Sequence, residues 1–252
     1  MSKRWASFVS GGGTTMAAIL DAIVVGRLVG IAPALIVATS EDIGAINKAK
    51  QRISEHGSKL ELRENDIVIA DLRKSSWEVW RDGIVDACQR RGVEVITQNG
   101  WFPKTPTAVI AAVNGNIFNQ HPGPLDPGRK HDFGGGGHLG MYGRRVHCAR
   151  LLFARRTEGN NWTEATSHVV TEEVDKGLTV RRRIVEILPD DTVETLQQRV
   201  LPVEHQVQID TLQMFANGTI AARPRKERLI RKFEVSTLFA VKSAAVDLYP
   251  FG

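Results

Sequence analysis

Asn119-Gln120-His121-Pro122 places an amide and an imidazole two residues apart. Side chains alternate along an extended segment, so Asn119 and His121 point to one side and can converge on one reacting group. The pairing suits acyl chemistry: an amide NH₂ stabilises a developing oxyanion, and an imidazole titrating near neutrality accepts or donates a proton. The plain alternative is a histidine kept for structure. A carboxylate that orients the imidazole would complete the set, and Thr171-Glu172-Glu173-Val174-Asp175-Lys176-Gly177 offers Glu172, Glu173 and Asp175. Asp175 before Lys-Gly fits a tight bend, which is also reason enough for an aspartate with no chemical role. Spacing does not choose among the three.

A second constellation is Ser10-Gly11-Gly12-Gly13-Thr14-Thr15, between the apolar run Trp5 to Val9 and the helical pattern Met16 to Ile23. Backbone N–H groups of such a turn, with the N-terminus of the following helix, cradle a phosphate, and the threonine hydroxyls add donors. It is not a P-loop, because Gly-Lys-Ser/Thr is missing, and Met16 stands where a dinucleotide fingerprint has its third glycine. A tight strand-to-helix turn needing glycines is the alternative.

The elements that must position these residues alternate. Strands are expected at 5–9, 31–38, 66–71, 93–97 and 116–119, with helices at 16–23, 43–53 and 77–90 between them, which predicts a mainly parallel, twisted α/β sheet with helices on both faces. Gln120 to Gly143 reads as a long Pro- and Gly-rich loop containing Gly134 to Gly137, either a lid or a tolerated insertion. A helix is expected over 145–155, a hairpin-like pair of strands at 165–170 and 178–187, and a long helix over 192–216. Arg223 to Lys232 holds six basic residues against Glu227 and carries most of the +5 net charge; it reads as a solvated face or flexible arm, or as an anion, nucleic-acid or subunit contact.

With 252 residues the chain is long enough for a full hydrophobic core, and 42% hydrophobic with 24% charged residues describes a globular protein rather than a disordered one. Two lone cysteines exclude a disulfide framework and point to a reducing cytoplasm. The first residues lack a signal-peptide pattern, and no apolar run reaches membrane-spanning length.

Taken together, Phe8 to Ala22, Asn119-x-His121-Pro122, Thr166 to Gly177 and Val203-Glu204-His205 resemble the folate-dependent formyltransferases, in that order, over residues 5 to 222. The resemblance implies a Rossmann-type formyltransferase fold over 1–222 followed by a basic tail, 223–252. It implies transfer of a formyl group from 10-formyltetrahydrofolate, with no metal, to a primary amine of a phosphorylated acceptor, first of all glycinamide ribonucleotide in purine synthesis. Asn119, His121 and Asp175 would be catalytic; Gly11, Gly12, Gly13, Thr14 and Thr15 would hold the phosphate, and Glu204 the acceptor. Gln98, Asn99, Gly100, Trp101 and Phe102, with Thr171 and Val174, would hold the folate. Partners would be small molecules, with no membrane and no nucleic acid; a homodimer is a possible assembly.

Departures from the family pattern fall on the acceptor side. Thr14-Thr15 replaces Ser-Asn, a Gly-rich stretch follows His121-Pro122, and Leu178-Thr179-Val180 replaces Gly-Pro-Val after Gly177. An amino-sugar nucleotide is therefore a rival acceptor, with Arg129, Lys130, Arg144 and Arg145 as candidate anion grips. From another class, a non-catalytic member would bind RNA or a partner through the tail; formyl transfer, by contrast, is expected to survive removal of 223–252 if the protein still folds.

Overall fold

The computed structural model describes residues 1–135 and 140–252. In chain order the elements are β1 (Lys3–Val9), α1 (Thr14–Val24), β2 (Ile31–Ala38), α2 (Gly44–Leu60), β3 (Ile67–Ile69), α3 (Trp77–Arg90), β4 (Val95–Gln98), α4 (Thr107–Ala112), β5 (Ile117–His121), α5 (Arg144–Arg156), β6 (Trp162–Val169), β7 (Thr179–Glu186), α6 (Val193–Ala216) and α7 (Val235–Leu248). The strands form one seven-stranded sheet, ordered β3-β2-β1-β4-β5-β6-β7, so the mainly parallel α/β architecture expected from the alternating pattern is present. The chain divides into two units, 1–119 with 208–220, and 120–207 with 221–252.

In the first unit every pairing is parallel: β1 with β2 and β4, β2 with β3, and β4 with β5. Its strands are short apolar runs because both faces are covered, and helices α1 and α2 pack as one pair, α3 and α4 as another. Pro33 sits inside β2, where it cannot donate to a ladder; the register between β1 and β2 shifts between Trp5 and Ala6, opposite it, which absorbs the missing N–H. Six-residue α4 carried too short a pattern to be expected from sequence.

The second unit contains the antiparallel β6–β7 pair and helices α5 and α7, which pack on each other. Leu238, Val241 and Ala245 recur at helical spacing on α7 and are buried in the core with Val146, Ala149 and Phe153 of α5. The basic run leading to α7 is accordingly not a free arm. Arg225 pairs with buried Glu164 and donates to the Leu125 carbonyl, while Arg129 pairs with Asp126 at 2.9 Å. Arg145 donates to the carbonyls of Gly140, Tyr249 and Pro250. Arg129 and Arg145, expected as anion grips, are thus committed to protein acceptors. No helix among the described residues is long and apolar enough to cross a membrane.

Candidate functional site

Strand β5 ends on His121, which is buried. Its Nε2 donates to the Phe133 carbonyl at 2.8 Å, and its Nδ1 lies 3.6 Å from Asp175 Oδ2. Glu172 and Glu173 are exposed, whereas Asp175 is 7% exposed, so burial makes the choice that spacing left open. Asp175 holds a left-handed conformation, φ 57°, which an aspartate tolerates better than most residues. Its carboxylate also meets the Gly135 N–H at 3.1 Å and His168 Nε2 at 3.4 Å. His168 was not singled out from sequence, although strand alternation from Thr166 in β6 puts it on the same side.

Approach of the Gly-rich segment to Asp175 depends on Gly134. A Cβ there would lie 2.4 Å from Leu125 Cδ2 and 2.9 Å from Asp175 Cβ. Gly134→Ala is expected to displace Asp175 from His121, destabilise the fold by about 1–3 kcal/mol and lower turnover; chemical denaturation and rate measurement check both. Unchanged stability and turnover would show that the segment yields without cost. Gly136 and Gly137, part of the expected lid, lie outside the described residues.

Opposing forces act on these charges. Burial pushes the His121 imidazole below its usual pKa, against Asp175 and the Phe133 carbonyl, which favour the cation; burial prevails, so the resting ring is neutral near pH 7. Burial would raise the Asp175 carboxyl, but His121, His168 and the Gly135 N–H outweigh it and hold it well below the usual range. Nearby His147 on α5 is buried, and its Nδ1 has no partner; burial takes its pKa down to about 4. The unfolded chain therefore binds the extra proton, and stability should fall by roughly 3 kcal/mol as pH drops from 6.5 to 4. Urea titrations across that window check this, and His147→Leu should flatten the dependence.

Glu204 on α6 lies in the same unit, buried, with Gln120 Nε2 donating to its Oε1 at 3.4 Å. Burial pushes its carboxyl up to about 8, so it rests protonated at neutral pH. Thr171 and Val174 are exposed beside Asp175 in sequence.

The first unit carries the other expected residues. Gly13 caps α1 with φ 66°, and a Cβ there would fall 2.5 Å from Ala45 Cβ, so its glycine serves a left-handed turn and a close helix contact. Gly12 and Thr14 are exposed at the start of the helix. Ser10 accepts from the Phe102 N–H at 3.1 Å, and the Ser10 N–H donates to the Gly100 carbonyl at 2.9 Å, which brings the glycine turn beside the segment from Gln98 to Phe102. Gln98 and Asn99 are turned inward: Gln98 bonds Thr105, and Asn99 donates to Ser7 Oγ at 2.7 Å and Thr97 Oγ1 at 3.0 Å. Their side chains hold the scaffold, leaving the backbone at Gly100 and the 68% exposed ring of Phe102 to face outward. Trp101 stacks on Trp80 and meets Phe8 at a tilt, with its buried indole N–H lacking a partner. A cleft of 490 Å³ is lined here by Ser10, Asp71, Arg73 and Phe102. Asn119 is half-buried near the end of β5.

Known proteins with the same features were found at three levels. The family described as Formyl transferase matches residues 140–212. The chain is 31% identical over 235 residues to a chloroplastic phosphoribosylglycinamide formyltransferase of Vigna unguiculata, covering 92% of this chain and 67% of that protein. It is 26% identical over 218 residues to the phosphoribosylglycinamide formyltransferase of Haemophilus influenzae, covering 86% of this chain and 89% of the other. Among solved structures, glycinamide ribonucleotide transformylase 1 from Symbiobacterium toebii shares the fold, with a TM-score of 0.70 at 24% identity over 88% of this chain and 91% of that one.

Proposed function

Because the chain belongs to the family of phosphoribosylglycinamide formyltransferases, we propose that it transfers the formyl group of 10-formyltetrahydrofolate to the amine of glycinamide ribonucleotide. The observation that carries the reading is the buried His121 facing Asp175 at the end of β5, in a chain of this family.

The acceptor amine adds to the formyl carbon, and negative charge grows on the formyl oxygen. The Asn119 amide donates to that oxygen. The His121 Nε2–H, satisfied at rest by the Phe133 carbonyl, exchanges a neutral acceptor for an anionic one and gains by it. As its nitrogen bonds to the formyl carbon the amine sheds a proton; the neutral His121 takes it up on the side of Nδ1, and Asp175 stabilises and orients the imidazolium so formed. His121 then supplies the proton that the departing folate nitrogen needs.

For the folate, the left-handed backbone of Gly100 and the exposed Phe102 ring are groups that a flat, acceptor-rich ring would use. Gly11 to Thr15 supply backbone N–H groups and hydroxyls to the acceptor's phosphate. Glu204, protonated at rest, returns to its charged form when a cationic amine or a set of hydroxyls enters. Glu204→Gln should raise KM for the ribonucleotide by about 10- to 100-fold with a smaller change in kcat. An unchanged KM would remove Glu204 from the acceptor site.

Small molecules are the partners in this reading, and the free, buried Cys88 and Cys148 support a reducing, cytoplasmic setting. The test is incubation with 10-formyltetrahydrofolate and a panel of phosphorylated amines, including an amino-sugar nucleotide, following the folate product and the formylated acceptor together. Transfer to glycinamide ribonucleotide is expected; turnover with water alone, or with no acceptor in the panel, would overturn the assignment.

A further inference from the structure

We propose that α7, in the basic C-terminal segment, supplies a positioning residue for the reaction: Lys242, which clamps the backbone that braces His121 and Asp175. Its Nζ donates to the Gly134 carbonyl at 2.8 Å and to the Asp132 carbonyl at 3.2 Å. Between them lies Phe133, whose carbonyl accepts from His121, and directly after them the Gly135 N–H holds Asp175. Three successive carbonyls are thus fixed, the outer two by one ammonium and the middle one by the imidazole. An irregular Gly-rich stretch has no ladder or helix to hold it, so such side-chain bonds set its position.

The rest of the surroundings fits a clamp. Asp132 Oδ1 accepts from the Gly134 N–H at 3.1 Å and lies 3.5 Å from Lys176 Nζ, and Asp132 Oδ2 accepts from the Asp126 N–H at 3.1 Å. Lys242 is half-buried, and a buried ammonium must find acceptors; its hydrogen bonds go to these main-chain oxygens, while the Asp132 and Asp175 carboxylates favour its charge and Lys176 opposes it. Its helix is anchored by Leu238, Val241 and Ala245 in the core, and the residues beyond it are tied by Arg145. Lys242 does not reach the reacting atoms; it acts through the segment 132–135.

The kinetic consequence rests on the formyl-transfer reading, so the experiment has two arms, both on the full chain. In the first, amide hydrogen exchange at Gly134 and Gly135 is compared between parent and Lys242→Met; faster exchange is expected, and this arm needs no activity. In the second, Lys242→Met should lower kcat by about 10- to 100-fold while KM for folate and acceptor stays within twofold. Lys242→Arg should recover part of the loss, and Lys232→Met, an exposed charge removed from the same segment, should behave as the parent. Should Lys242→Met unfold, Lys242→Gln is read in the same way. Unchanged exchange, or kcat equal to that of an active parent, overturns the clamp. A parent that transfers nothing instead overturns the formyl-transfer reading and leaves the clamp to be decided by exchange alone.

Discussion

His121→Ala is expected to lower formyl transfer by about 10²- to 10⁴-fold while the chain stays folded. The side chain is buried, yet its polar contacts are few: one carbonyl at 2.8 Å and one carboxylate at 3.6 Å. Removing it leaves the Phe133 carbonyl unpaired and opens a small cavity, a modest penalty for a core of this size. What is lost is the one titratable group on β5 that can follow the charge of the reaction. Circular dichroism and thermal unfolding establish the fold, and a continuous assay of folate product measures the rate. A folded variant that retains transfer would end the assignment of His121 as the acid/base group.

Asp175→Asn follows with an expected loss of about 10²-fold or more. Asparagine has nearly the same volume and accepts the left-handed backbone, so φ 57° is kept. The negative charge is not kept. Asp175 is the strongest influence favouring the His121 cation against burial, so without it the imidazole pKa falls further and the limb of the pH–rate profile belonging to His121 moves to more acid pH. Stability depends on pH in the same sense as for His147, with loss toward acid. The folded Asp175 carboxyl lies below its unfolded value, near 3.9, so its contribution is fully present above that pH and is lost as pH falls. Below about pH 4 the variant should therefore lose less stability than the parent. An unmoved pH–rate profile would mean that Asp175 does not tune His121.

The alternation of strands and helices was legible because β2 and β3 are continuous apolar runs, β1 and β4 are apolar over much of their length, and the helices between carry helical spacing. Asn119, His121 and the three candidate carboxylates were legible as residue types. What spacing could not supply was the choice of Asp175, decided by burial and by a backbone conformation unfavourable to most side chains. Gln98 and Asn99 illustrate the converse: polar residues at the end of a strand look available in sequence, yet here they satisfy the scaffold. Lys242 left no local signal, since its partners are 108 and 110 residues away in sequence. The cluster of charges before α7 masked its apolar face; Arg225, from the run read as a solvated arm or contact, and Arg129, read as an anion grip, are spent on Glu164 and Asp126.

Residues 208–220 belong with 1–119, and residues 221–252 with 120–207, so each unit is assembled from two separate stretches of chain. On the ribosome, where synthesis runs from the N-terminus and domains tend to fold as they emerge, neither unit can finish early. The first must wait, with part of α6 still unmade, until the second is nearly written, and the second must wait for α7. A single cut therefore cannot deliver either unit whole.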